Sequence, residues 1–131
     1  MKSTVNFRVR YQETDQMRIV HHSVYLIWFE VGRTEWMRQR GLTYRECEAK
    51  GWLLPLVESG TKYLNSAQYD DAIEVETVHV QEKGAAFRFD YIVRRPSDGQ
   101  ILATGFTRHV CISEDNRINK EATKLLKDML K

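Results

Sequence analysis

The chain has 131 residues, 42% of them hydrophobic and 29% charged, which is ordinary usage for a globular protein and leaves little room for disorder away from the ends. That length buries a core without staples, so one domain over residues 1–131 is expected. Its 20 basic and 18 acidic residues leave a net charge of +2, too small a surplus to form an electrostatic footprint for nucleic acid. Cys47 and Cys111 lie far apart with no CxxC spacing, so neither a zinc site nor a disulfide is indicated, and both read as small buried hydrophobes. The opening MKSTVNFRVR lacks the apolar run of a signal peptide, and no stretch approaches the ~18 apolar residues of a membrane span. A soluble, cytoplasmic protein without membrane insertion is the expectation.

Val5, Phe7, Val9 and Tyr11 alternate with polar residues, a period of two that predicts a strand buried on one face. A polar loop, Gln12 to His22, follows, rich in side chains that compete with regular backbone pairing. Ser23 is a candidate N-cap, and Val24 to Arg40 predicts a long helix. Val24, Ile27, Trp28 and Val31 form one apolar stripe and Tyr25, Phe29, Gly32 and Trp36 a second beside it, so the helix is expected to be covered on most sides. Gly32 in mid-helix predicts that another element approaches closely there.

Gly41 ends that helix, and Thr43–Glu46 matches a capping box opening a short helix that runs to about Ala49. Strand periodicity then takes over. Leu53 to Leu64 is apolar and extended around Pro55, which suits a strand start or edge. Ile73, Val75, Thr77 and His79 predict a strand after the turn at Asp70–Asp71, and Phe87, Phe89, Tyr91 and Val93 predict the next one. Pro96 to Gly99 is a tight turn into a strand over Ile101 to Ser113. There Ala103, Gly105 and Thr107 share one face, which leaves room for something bulky. Lys120 to Lys131 predicts an amphipathic helix with Leu125, Leu126, Met129 and Leu130 clustered.

Strands joined by short turns make an antiparallel sheet, and the only element apolar enough to cover its face is the first helix. The expected fold is α+β, with an antiparallel sheet of about five strands wrapped around one long central helix.

Tyr11, Thr14-Asp15, Val20, His22 and Tyr25, followed by Phe29-Glu30 and Arg33-Thr34-Glu35, resemble the hot-dog-fold acyl-CoA thioesterases of the 4-hydroxybenzoyl-CoA thioesterase and YbgC type. Lys62-Tyr63-Leu64, Tyr69-Asp70-Asp71 and Thr104-Gly105-Phe106-Thr107 resemble strand signatures of the same family. The resemblance implies hydrolysis of acyl-CoA thioesters without metal or other cofactor, in a homodimer or homotetramer with its sites at subunit interfaces. By position, Asp15 corresponds to the catalytic carboxylate, His22 to the histidine at the helix start and Tyr11 to the tyrosine before the aspartate. Two departures stand out: Arg18 occupies a position that is usually glycine, and His21 one that is usually tyrosine. The first bears on loop conformation and the second on acyl selectivity.

Thioester hydrolysis needs an attacking group or activated water, and donors for the oxygen that becomes negative. A helix N-terminus supplies the donors, and the backbone N–H at or near His22, with Ser23 beside it, is the candidate oxyanion hole. Asp15 is the candidate nucleophile or general base, and the sequence leaves both routes open. Tyr25, Ser23 and His21 are candidate substrate-binding residues. Each has a plainer reading: Asp15 as a turn residue, His22 as a structural ligand of the loop backbone, and Tyr25, Trp28, Phe29 and Trp36 as core or interface filling. Glu30, Arg33 and Glu35 read as a solvated charge set or a dimer contact. Arg88, Arg94, Arg95, Arg108 and Lys62 read as strand charges or contacts to CoA phosphates. A metal set drawn from Glu13, His21, His22, His79 and His109 is conceivable but not favoured. The alternatives to an acyl-CoA hydrolase are a non-catalytic acyl-thioester binding protein and a hydratase or dehydratase of the same fold, although the loop lacks the Asn-Pro expected of the latter.

Overall fold

The computed structural model describes residues 2–131. In chain order the elements are β1 (Lys2–Arg8), α1 (Val24–Gln39), α2 (Tyr44–Ala49), β2 (Leu56–Tyr63), β3 (Ala72–Val80), β4 (Phe87–Arg95), β5 (Gln100–His109) and α3 (Lys120–Met129), with a 3-10 turn at Tyr11–Glu13. The five strands form one sheet in the order β1-β3-β4-β5-β2, antiparallel at every pairing. Helix α1 lies across its face, which is the architecture expected from the sequence.

The alternation in β3 and β4 explains the placement. Ile73, Val75 and Thr77 of β3 and Phe87, Phe89, Tyr91 and Val93 of β4 all point inward and are buried. From α1 they meet Trp28, Phe29, Trp36 and Met37, and the rings interlock: Phe29 stacks on Tyr91 at 4.3 Å, and Trp36 meets Phe89 edge-on at 5.6 Å. Burying each such side chain stabilises the fold by roughly 1.5–3 kcal/mol. Close approach is built in at two glycines. A Cβ on Gly32 would collide with Thr77 Oγ1, and one on Gly105 would lie 2.6 Å from the Phe29 ring. The small-residue face of β5 therefore takes in a phenyl ring of α1, and Gly32 lets α1 settle onto β3.

Several expectations need correction. The first strand is shifted toward the N-terminus: it ends at Arg8, and Tyr11 belongs to the 3-10 turn, where it is exposed. Helix α1 is not covered on most sides, because Leu26, Ile27 and Val31 are exposed and the two expected stripes merge into one around Trp28, Phe29 and Gly32. Strand β5 stops at His109; beyond it the Val110 N–H donates to the Pro55 carbonyl and Ile112 forms isolated bridges to Leu53 and Ile118. In α3 the buried face is Ala122, Thr123, Leu126 and Leu130, leaving Leu125 and Met129 exposed. Arg33 is neither solvated nor at the surface but buried in the core.

The remaining elements close the ends. Thr43 Oγ1 accepts the N–H of Glu46, capping α2 as expected, and Asn119 caps α3 through the N–H of Ala122. Cys47 and Cys111 are fully buried as free thiols, with burial pushing Cys111 up to about 11. No helix among the described residues is long and apolar enough to cross a membrane. Strand β2 forms one edge of the sheet, and Leu56, Val57, Tyr63 and Leu64 are exposed along it.

Candidate active site

The loop between β1 and α1 is a self-supporting structure. Thr14 pairs with Val20 in an antiparallel bridge, the Asp15 N–H donates to the Ile19 carbonyl at 3.0 Å, and the Arg18 N–H donates to the Asp15 carbonyl at 2.9 Å. These bonds close a tight turn that holds Arg18 at φ 66°, a left-handed conformation. A non-glycine residue there costs on the order of 1 kcal/mol, so the loop keeps a glycine-like shape at the position where the family pattern has glycine. Asp15 sits at the base of the turn, and its Oδ1 accepts the Met17 N–H at 2.8 Å.

Glu13 anchors this loop to α1. It is buried, its Oε1 accepts the Arg10 N–H at 2.7 Å, and its Oε2 accepts the Trp28 indole N–H at 3.0 Å. Its backbone carbonyl also accepts the His21 N–H at 2.9 Å. One residue thus fixes the 3-10 turn, the first helical turns and the loop exit. Sequence reasoning gave Glu13 only a remote metal-ligand role; the partner that makes it important is Trp28, fifteen positions on, and no local pattern announces that contact.

The helix start differs in detail from the expected cap. Ser23 makes no capping bond with its side chain; its Oγ lies 2.8 Å from His21 Nδ1, which also accepts the Ser23 N–H at 3.2 Å. The Val24 N–H donates to the His21 carbonyl at 3.0 Å, and the Tyr63 hydroxyl donates to the His22 carbonyl at 3.2 Å. Of the first amides, Ser23 and Val24 are therefore occupied, whereas the His22 N–H donates to no group among the described residues.

Asp15, His22 and Tyr25 line one cleft of about 280 Å³, together with Met17, Ile19, Val20 and the segment Tyr63, Leu64, Asn65 and Ser66. The structure thus brings Asp15 to the N-terminus of α1. Tyr25 is buried, its ring edge-on to Tyr63 at 5.3 Å and to Trp28 at 5.0 Å, and burial raises the pKa of its phenol. Tyr11 is not part of this lining: it is 78% exposed, packs against Tyr69 at 5.6 Å and lines a separate shallow surface with Arg10, Gln12 and Thr14. His21 and Ser23 also lie outside the lining; the His21 ring rests against that of His22 at 4.1 Å.

The other candidates disperse. His79 packs on Trp36 and Phe89, and His109 bonds Thr107, so neither comes to the loop histidines; no metal-competent cluster of His, Cys, Asp and Glu occurs among the described residues. Arg88 pairs with Asp90, Arg94 with Glu74 and Glu76, Arg95 with Asp71 and Asp98, and Arg108 with Glu58 and Glu82. Lys62 lines an open groove on the outer face of the sheet together with Glu76, Arg88 and Asp90.

Comparison with known proteins decides the family. A family model described as the thioesterase-like superfamily matches residues 9–131. This chain belongs to that superfamily. It is 33% identical over 114 residues to a putative acyl-CoA thioesterase, YneP, of Bacillus subtilis, covering 87% of this chain and 82% of the relative. Among solved structures it resembles the hypothetical protein TT1821 of Thermus thermophilus, with a TM-score of 0.88 and 37% identity over 100% of this chain and 98% of the other. Slr0204 of Synechocystis, a 1,4-dihydroxy-2-naphthoyl-CoA thioesterase, shares the fold with a TM-score of 0.87 and 22% identity over 97% and 95% of the two chains. The hot-dog fold is thus that of thioesterases, and this superfamily member is a thioester hydrolase.

Proposed function

We propose that this protein hydrolyses acyl-CoA thioesters to a free acid and CoA, using Asp15 and the N-terminus of α1. The observation that carries the reading is the shared cleft: Asp15 and His22, whose N–H has no partner among the described residues, line the same 280 Å³ space in a chain of this superfamily. The acyl-CoA thioesterase name of the YneP relative supports CoA as the carrier.

The thioester carbonyl is held with its oxygen toward the His22 N–H, where the helix N-terminus carries about half a positive charge. Two routes fit the carboxylate. As a general base, Asp15 takes a proton from water, the water oxygen bonds to the carbonyl carbon, the C–S bond breaks, and the thiolate leaves and is protonated. As a nucleophile, an Asp15 oxygen forms a mixed anhydride with release of the thiolate, and water then cleaves the anhydride. In both, Oδ1 stays tied to the Met17 N–H and Oδ2 faces the chemistry. His22 contributes through its backbone N–H. Tyr25 and Tyr63 wall the acyl side, and His21 sets the local turn through Ser23. Tyr11, assigned a catalytic place by resemblance, lies outside the lining of this cleft.

The active form is a homodimer that pairs through the open edge of β2 and doubles to a tetramer. Supporting this, the edge carries exposed Leu56, Val57 and Leu64, an arrangement that isolated sheets avoid. Sedimentation velocity is expected to show a single assembled species for the native chain, and Val57→Lys to shift it toward monomer.

Thiol release from short, long, branched and aromatic acyl-CoAs by native protein and Asp15→Asn tests the function. Turnover by the native protein and loss in the variant supports it. Equal turnover by both removes Asp15 from the mechanism.

A further inference from the structure

The peptide groups around His22 are held asymmetrically. The His21–His22 unit is fixed through its carbonyl, which accepts the Val24 N–H at 3.0 Å. The His22–Ser23 unit is held at both poles: its N–H donates to His21 Nδ1 at 3.2 Å and its carbonyl accepts the Tyr63 hydroxyl at 3.2 Å. Clamping a peptide on each side of the His22 Cα fixes both backbone torsions there, and with them the direction of the free His22 N–H.

Two of the three clamps are local, made within the turn that starts the helix. The third comes from Tyr63, the last residue of β2 and 41 positions away. Its ring is itself placed edge-on to Tyr25, which is buried against Trp28. Tyr63 and His22 line the same cleft as Asp15.

We propose that Tyr63 is a positioning residue for thioester hydrolysis: its hydroxyl holds the His22 carbonyl so that the His22 N–H points at the forming oxyanion. The proposal rests on the hydrolytic reading above. A second effect acts in the same direction. A backbone carbonyl oxygen beside a developing negative charge repels it, and the Tyr63 O–H offsets that dipole. Because the hydroxyl acts through the peptide, it matters most when charge builds on the substrate oxygen. The effect therefore belongs to kcat and is independent of the acyl group.

The test is Tyr63→Phe, which keeps the ring against Tyr25 and removes only the hydroxyl. On every acyl-CoA the native protein cleaves, kcat is expected to fall by a common factor of roughly 3- to 10-fold, with KM within about twofold of native. The amide resonances of His22 and Ser23 are expected to move in the ligand-free variant, a change that a ring acting only as acyl wall does not cause. Native kcat in Tyr63→Phe overturns the proposal. So does raised KM at native kcat, which marks the hydroxyl as a substrate contact. Asp15→Asn assayed alongside separates the failures. If it is inactive while Tyr63→Phe turns over normally, hydrolysis at this cleft stands and the role of Tyr63 falls. If native protein releases no thiol from any acyl-CoA, both fall.

Discussion

The two ends of α1 treat their polar groups in opposite ways. At the N-terminal end, Asp15 and His22 face an open cleft, and the His22 N–H remains unspent among the described residues. Toward the C-terminal end the polar groups are sealed and turned on one another. Tyr91 Oη and Thr107 Oγ1 are 2.6 Å apart, Thr107 Oγ1 lies 2.9 Å from His109 Nε2, and His109 Nδ1 lies 3.3 Å from the Leu54 carbonyl. One orientation satisfies the whole chain: Tyr91 donates to Thr107, Thr107 donates to Nε2, and a neutral imidazole donates from Nδ1. Burial, reinforced by the Arg33 charge, lowers His109 to about 4, and burial pushes Tyr91 up to about 12.

Perturbed titration ordinarily flags function. Here the histidine displaced that far lies in the core at 2% exposure and serves packing, while the proposed chemistry uses groups left open to the cleft. The useful distinction is whether a polar group still has bonding capacity facing a space that a substrate can enter.

Variants at the two ends sharpen the contrast. The largest effect is expected for Asp15→Asn, which lowers kcat by roughly 10²- to 10⁴-fold with thermal stability near native, read by thiol release and calorimetry. Next is acid destabilisation at the far end. With His109 at about 4 in the folded state and ~6.5 when unfolded, the unfolded chain binds more protons between those values. Stability therefore rises with pH across that window, is complete above about pH 6.5, and on acidification to pH 4 falls by on the order of 3 kcal/mol. Denaturant unfolding at several pH values checks this, and His109→Asn is expected to flatten the slope while leaving kcat at neutral pH unchanged.

Glu13→Gln should cost roughly 1.5–3 kcal/mol, because an amide cannot accept from both Arg10 and Trp28 as the carboxylate does. Its loss also loosens the loop, so kcat falls as well, a paired effect that far-end variants lack. The smallest change is expected for Arg33→Met. The Arg33 guanidinium is buried with Nε and Nη1 unbonded among the described residues, so an apolar side chain of similar length should leave stability within about 1 kcal/mol of native or raise it. The same substitution removes a positive charge near His109 and should move its titration upward.

These differences also mark what the sequence could reveal. Strands β3 and β4 were legible because each alternates strictly between a buried and an outer face, and Gly32 and Gly105 were legible because a helix or strand keeps glycine where something must fit. The exposed Ile27 and Val31 were misread because apolar spacing shows which residues avoid water, not whether the same chain supplies their cover. Tyr11 keeps the parity of Val9 and so extended the apparent strand, although the chain turns after Arg8. At the site, the family pattern points to Asp15 and His22, and both residues line one cleft. The Glu13–Trp28 and Tyr63–His22 bonds join residues 15 and 41 positions apart, and Arg33 is buried by tertiary packing; no local spacing encodes these contacts.

The most direct test of the contrast between the ends is amide hydrogen exchange of the native protein with and without a non-hydrolysable thioether analogue of an acyl-CoA. The account predicts slowed exchange at residues 15–25 and 63–66, with the core around Arg33, Thr107 and His109 unchanged. Protection confined to that core, with the loop and helix start unaffected, would contradict it.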